Sequence, residues 1–183
     1  QRQMCIRDRY NIVDRIYIAR IPSVGTTALG AVGLCFPIIV IITAFSNLFG
    51  SGGAPLFSIN RGKGNIKKAE AIMNTSFSML CICGVALMVI GMLFASPILV
   101  LFGASEEGLS YAYPYMMIYL IGTVPSMIAT GMNPFINAQG YATSGMLSVT
   151  IGAVANLILD PLFIFGLNLG IKGAAIATCL LYT

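Results

Sequence analysis

Three long stretches of this sequence carry no charge at all, and they leave few folds open. Forty residues separate Arg20 from Arg61, 35 separate Glu70 from Glu106, and 52 separate Glu107 from Asp160. A hydrocarbon core is crossed by about 20 helical residues, so the last stretch must hold more than one helix. Only 9% of residues are charged against 57% hydrophobic, where soluble domains carry about 25% charged. The expected fold is all-α, a polytopic membrane helix bundle in the cell membrane.

Four complete helices and two partial ones are expected. The complete helices fall near Thr27 to Ile59, Lys68 to Phe102, Tyr111 to Gln139 and Thr143 to Leu167. The first two exceed one bilayer crossing, and tilt or extension into water absorbs the excess. Turn-rich segments join them at Arg61 to Asn65, Gly103 to Gly108, Gln139 to Gly145 and Gly166 to Gly170, each suited to a hairpin between antiparallel helices. A further helix opens at Gly173.

Arg61, Lys63, Lys67 and Lys68 crowd one short loop, whereas Glu106 and Glu107 occupy the next. The first loop is therefore read as cytoplasmic and the second as external, with Arg15, Arg20 and Lys172 then on the outer side. The net charge of +4 is a topology signal and does not outline a nucleic-acid surface. A second reading of the basic loop is contact with anionic lipid.

Asp160 is the only charge between Glu107 and Lys172. A carboxylate near a bilayer centre costs about 2.5–3.5 kcal/mol on insertion scales, which makes it a functional-site candidate. Asn156 lies one helical turn earlier on the same face, and Pro161, directly after it, disfavours regular helix at Asp160. The plainer alternative is a helix-end carboxylate reaching interfacial water. At about 1.5 Å of rise per residue, however, Asp160 sits some 9 Å from Gly166, deep for so short a side chain. Asn156 has its own plainer role, a hydrogen bond to a neighbouring helix, worth about 0.6 kcal/mol.

Other features carry less. Cys35, Cys81 and Cys83 lie in apolar helices without metal-ligand spacing and read as small core residues. The methionines at 116, 117, 127 and 132 either fill helix interfaces or offer an adaptable apolar surface. Gly50, Gly52 and Gly53 before Pro55 lack the Lys-Ser/Thr pair of a phosphate loop and mark a flexible or closely packed point. With no His and no Cys-based dyad, catalysis is not expected, and no cofactor is called for.

Residues 1–9 and 179–183 resemble translated sequencing-adaptor read-through and are read as non-native tails. In between, residues 10–178 resemble the multidrug and toxic compound extrusion (MATE) family of secondary transporters. The segments that carry this are Tyr10 to Ile18 (YNIVDRIYI), Ala31 to Pro37 (AVGLCFP), Gly50 to Pro55 (GSGGAP), Gly131 to Gly140 (GMNPFINAQG), Asn156 to Pro161 (NLILDP) and Gly173 to Thr178 (GAAIAT), all in family order. The resemblance implies most of the six-helix N-terminal lobe of a twelve-helix transporter, from the end of the family's first helix to the start of its sixth. The C-terminal lobe would then be a partner from the same protein.

The resemblance further implies a cation site built from Asp14, Asn156, Asp160 and Thr178, with Asn133 near the cavity or supporting the site, or else capping a kink before Pro134. These groups are oxygen donors, as a hard ion such as Na⁺ favours. A proton would suit the same site, because burial and a second carboxylate both favour the neutral form of a carboxyl group. The implied function is antiport, exchanging Na⁺ or H⁺ for a small organic, cationic drug or toxin. A lipid-linked oligosaccharide flippase of the same superfamily would carry more basic residues facing its cavity. A non-transporting membrane fragment is the remaining alternative.

Overall fold

The computed structural model describes residues 25–166 and 170–181. Asp14, Arg15, Arg20, the segment from Tyr10 to Ile18 and residues 1–9 lie outside the described residues. Within them the chain forms α1 (Gly25–Gly62), α2 (Ile66–Leu101), α3 (Glu106–Ile121), α4 (Thr123–Ala138), α5 (Ala142–Pro161), a π-helical turn (Leu162–Gly166) and α6 (Ile171–Leu181). α6 runs on through Cys179, within the segment read as a tail.

The hairpin positions follow from local chemistry. α1 ends where Gly64 adopts φ 76° and the N–H of Asn65 reaches back to the carbonyl of Asn60 at 3.0 Å. Asn65 then caps α2, its side-chain oxygen accepting from the N–H of Lys68 at 3.3 Å. Such a cap satisfies a donor that the first helical turn would leave unpaired. α4 ends the same way: Gly140 takes φ 94°, and Tyr141 N–H bonds the carbonyl of Ile136 at 3.3 Å. Placing a residue with a Cβ in this left-handed region costs about 1–2 kcal/mol. Gly140→Val is therefore expected to lower the stability of the detergent-solubilised protein by about that amount, read as a drop in its thermal unfolding midpoint.

One expected helix is two. The span from Tyr111 to Gln139 breaks at Gly122, where α3 and α4 bend by 54°. Pro125 explains the break, since it has no N–H for the carbonyl of Ile121 and its ring crowds that carbonyl. The Thr123 hydroxyl repairs part of the ladder by donating to the carbonyl of Tyr119 at 3.3 Å. Among the described residues three helices are thus long and apolar enough to cross a membrane, or four when the bent pair counts as one span.

A second difference lies at Pro161. Regular helix continues through Asp160 and Pro161 and changes only afterwards, into the π-helical turn. The proline ring conflicts with the carbonyl of Leu157 one turn back, and the widened turn that follows relieves the mismatch. Asp160 therefore sits on firm helix at the edge of an irregular segment.

α1 packs on α2, α3 and α4, with Cys35, Ile42, Leu80, Leu99, Met127 and Phe135 fully enclosed. Met116 is buried in the same core, whereas Met117 and Met132 are half-buried against it. The methionines thus fill helix interfaces. α1 meets α4 so closely that a Cβ on Gly50 would lie 2.9 Å from the Gly131 Cα. The glycine-rich stretch is a packed crossing. Outward faces stay apolar, as at Ile82, Leu93, Ile151 and Ile158, all more than 60% exposed. Lipid is the solvent that accepts such faces without penalty.

Candidate cation site

α5 carries the two residues that matter most, one turn apart. Asn156 and Asp160 are 2% and 1% exposed, and the Asn156 amide nitrogen donates to Asp160 Oδ1 at 3.2 Å. With the nitrogen engaged, the Asn156 carbonyl oxygen is the atom left to face a cation. The pair carries an amide carbonyl and a carboxylate on one face of α5, both hard oxygen ligands. A buried carboxylate needs compensation, because an isolated ionised group in low dielectric is very costly.

Thr178 is placed by α6, which packs on α5 and on the π-helical turn. It is 7% exposed, and its hydroxyl donates to the carbonyl of Ala174 at 2.8 Å. Its proton is thereby directed along its own helix, leaving oxygen lone pairs to accept from a donor or meet a cation. Small residues let α6 approach: Ala174, Ala175 and Ala177 are wholly buried. Gly173 is the tightest point, where a Cβ would sit 2.7 Å from the carbonyl carbon of Phe163 and 3.1 Å from the amide nitrogen of Ile164. The π-helical turn after Asp160 and the start of α6 are thus in backbone contact.

Asp14 falls outside the described residues. Asn133 lies elsewhere: its amide donates to the carbonyl of Gly145 at 3.2 Å, and Asn137 donates to its side-chain oxygen at 3.1 Å. Gly145 is fifteen residues before Asp160 on α5, about 22 Å along the helix axis. Asn133 is therefore part of a clasp between α4 and the first turn of α5, and it does not reach Asp160. Its amide is held by a backbone carbonyl of a neighbouring helix, a pairing that a sequence does not reveal.

A polar stripe escaped the sequence reading. Thr123, Ser126, Thr130, Asn133 and Asn137 recur at alternating three- and four-residue spacing along one face of α4. Thr130 shares a hydrogen bond with Ser46 of α1, and the Ser46 hydroxyl is 3.1 Å from the carbonyl of Met127. The spacing was the available signal. α3 adds Tyr115 and Tyr119, both buried at 2% and 7% exposed.

Comparison with known proteins follows the same lines. The MatE family model matches residues 3–162. The chain is 31% identical over 173 residues to an FAD transporter of Shewanella oneidensis, covering 92% of this chain and 38% of that protein. It is also 31% identical over 171 residues to the multidrug export protein MepA of Staphylococcus haemolyticus, covering 93% of this chain and 37% of that one. A solved structure described as the outward-facing conformation of a multidrug resistance MATE family transporter superposes with a TM-score of 0.90 at 27% identity, over 98% of this chain and 39% of that chain. The inward-facing conformation of such a transporter gives 0.88 at 28% identity, over 94% and 39%. The chain thus spans less than two fifths of the length of the curated relatives it matches. With its apolar spans, its buried Asn156–Asp160 pair and these matches together, the chain belongs to the MatE family of multi-pass membrane proteins.

Proposed function

We propose that this chain is most of the N-terminal lobe of a cation-coupled antiporter, in which Na⁺ or H⁺ binding at Asp160, Asn156, Thr178 and Asp14 drives export of an organic cation. The observation that carries this reading is the buried amide–carboxylate pair of α5, at the edge of the π-helical turn. Ionisable groups inside a membrane bundle are expensive and mark ion pathways. Discontinuous helices are where transporters hold coupling ions.

Alternating access is rocking of one bundle against another around a fixed site. The comparable likeness of this chain to outward-facing and inward-facing relatives supports a lobe that moves largely as one body. A coupling ion biases that motion only through unequal affinity for the two states. The close approach of Gly173 to the Phe163 backbone supports a route from the site to α6, since a shift of the turn after Asp160 would press on α6.

A cationic substrate is favoured over an anionic one. Among the described residues every Lys and Arg lies at a helix end or in a turn, whereas Asp160 is enclosed within the bundle. The same distribution disfavours a lipid-linked oligosaccharide flippase. The test is efflux of a fluorescent organic cation from vesicles containing the full-length protein, under Na⁺ and pH gradients imposed separately. Efflux driven by one gradient and collapsed by dissipating it supports the reading and names the ion. Efflux indifferent to both removes coupling from the proposal.

A further inference from the structure

The turn between α1 and α2 gathers four cations that the site at Asp160 does not use. Arg61 closes α1, Lys63 lies in the turn, and Lys67 and Lys68 stand in the first turn of α2, all solvent-exposed. Among the described residues none of the four is held in an ion pair with a carboxylate. Arg61 is drawn aside over the Phe57 ring, 6.0 Å from its centroid. The remaining three lysines are left around the turn.

Lys67 and Lys68 occupy an electrostatically unfavourable place. The first turn of a helix carries the positive end of its dipole, where acids stabilise and cations do not. α2 has no acidic residue in that turn. An anion bound there would be met by the lysines and by the dipole together. Further into the apolar stretch of α1 lie two exposed apolar side chains, Leu56 and Ile59, each more than half exposed and three residues apart on one helical face. Charge at the headgroup level above an apolar surface at the acyl level matches an anionic phospholipid better than a soluble anion, which would leave the apolar surface unused.

We infer that this hairpin is a binding site for an anionic phospholipid, its phosphate held among Lys63, Lys67 and Lys68 and its acyl chains lying along Leu56 and Ile59. Basic clusters at the membrane surface attract anionic lipid by about 1 kcal/mol per residue, or about fivefold in affinity. The site is independent of the transport reading, since it requires only that α1 and α2 span the membrane.

Native mass spectrometry of the full-length protein, incubated with equal amounts of phosphatidylglycerol and phosphatidylcholine, tests it. Wild type is expected to retain phosphatidylglycerol preferentially, with retention falling as salt rises. Lys63→Gln, Lys67→Gln and Lys68→Gln, made singly so that enough charge remains to orient the hairpin, are each expected to weaken retention about fivefold. Lys67→Arg is expected to preserve it. Equal retention of the two lipids, or phosphatidylglycerol retention unchanged in all three glutamine variants, overturns the proposal and leaves the lysines a purely topological role.

Discussion

In the full-length protein, Asp160→Asn is expected to abolish ion-coupled efflux while leaving insertion and folding intact or slightly improved. The two halves of this expectation come from opposite effects of the same charge. Asparagine is nearly isosteric with aspartate, and its side-chain oxygen can still accept from the Asn156 amide, 3.2 Å away in the parent. Packing around a residue only 1% exposed is therefore preserved. Removing the charge also lifts an insertion penalty of about 2.5–3.5 kcal/mol. Cation binding moves the other way. Deleting one partner of a buried charge pair costs about 3–5 kcal/mol, which for a bound ion is a loss of roughly 10²–10⁴-fold in affinity. Thermal unfolding in detergent and vesicle efflux are measured side by side. A residue with a purely structural role would lose stability and transport together, whereas the coupling role predicts unfolding at or above the wild-type temperature with efflux gone. Undiminished coupled efflux in Asp160→Asn would remove this residue from the mechanism.

Much of this arrangement was legible because membranes simplify the grammar. Charge-free length together with the turn-rich connectors placed α1, α2 and α5 and their hairpins, and the i, i+4 spacing alone put Asn156 against Asp160. What stayed hidden needed information from other helices or from backbone detail. The bend at Gly122 lies inside an unbroken apolar run, so hydropathy passes over it, and only Pro125 gave notice. Pro161 gave notice too, yet the irregularity it causes falls after Asp160. Asn133 was drawn toward the cation site by resemblance, but its partner is a carbonyl on another helix, set by how α4 meets α5. The polar stripe on α4 was present in plain spacing, and its bonds show why hydroxyls tolerate an apolar span: Thr123 donates to the Tyr119 carbonyl, Thr130 to that of Ser126, and Thr130 also meets Ser46.

The glycine-rich stretch of α1 offers a sharper separation, because neighbouring glycines there face different surroundings. A Cβ at Gly50 would meet the backbone of Gly131, whose Cα would lie 2.9 Å away, and Gly131 is itself backed by the Leu80 side chain. Backbone cannot rotate out of the way, so α1 and α4 would have to separate. A Cβ at Gly53 would meet the Ser76 hydroxyl and the Phe135 ring, 2.5 and 2.7 Å away, side chains that can yield in part. At Gly52 it would meet nothing within 4 Å. Overpacking a close contact costs about 1–3 kcal/mol, while replacing a mid-helix glycine by alanine gains up to about 1 kcal/mol in helix propensity. Gly50→Ala is therefore expected to destabilise by the larger part of that range, Gly53→Ala by less, and Gly52→Ala to be neutral or stabilising. Thermal unfolding midpoints of the three purified variants test the order. If Gly50→Ala unfolds no earlier than Gly52→Ala, the helices do not cross at Gly50 and Gly131, and the packing of α1 on α4 must be redrawn. If the order holds, this crossing fixes the spacing of α1 and α4, and with it the contact that joins Ser46, one turn before Gly50, to Thr130, next to Gly131.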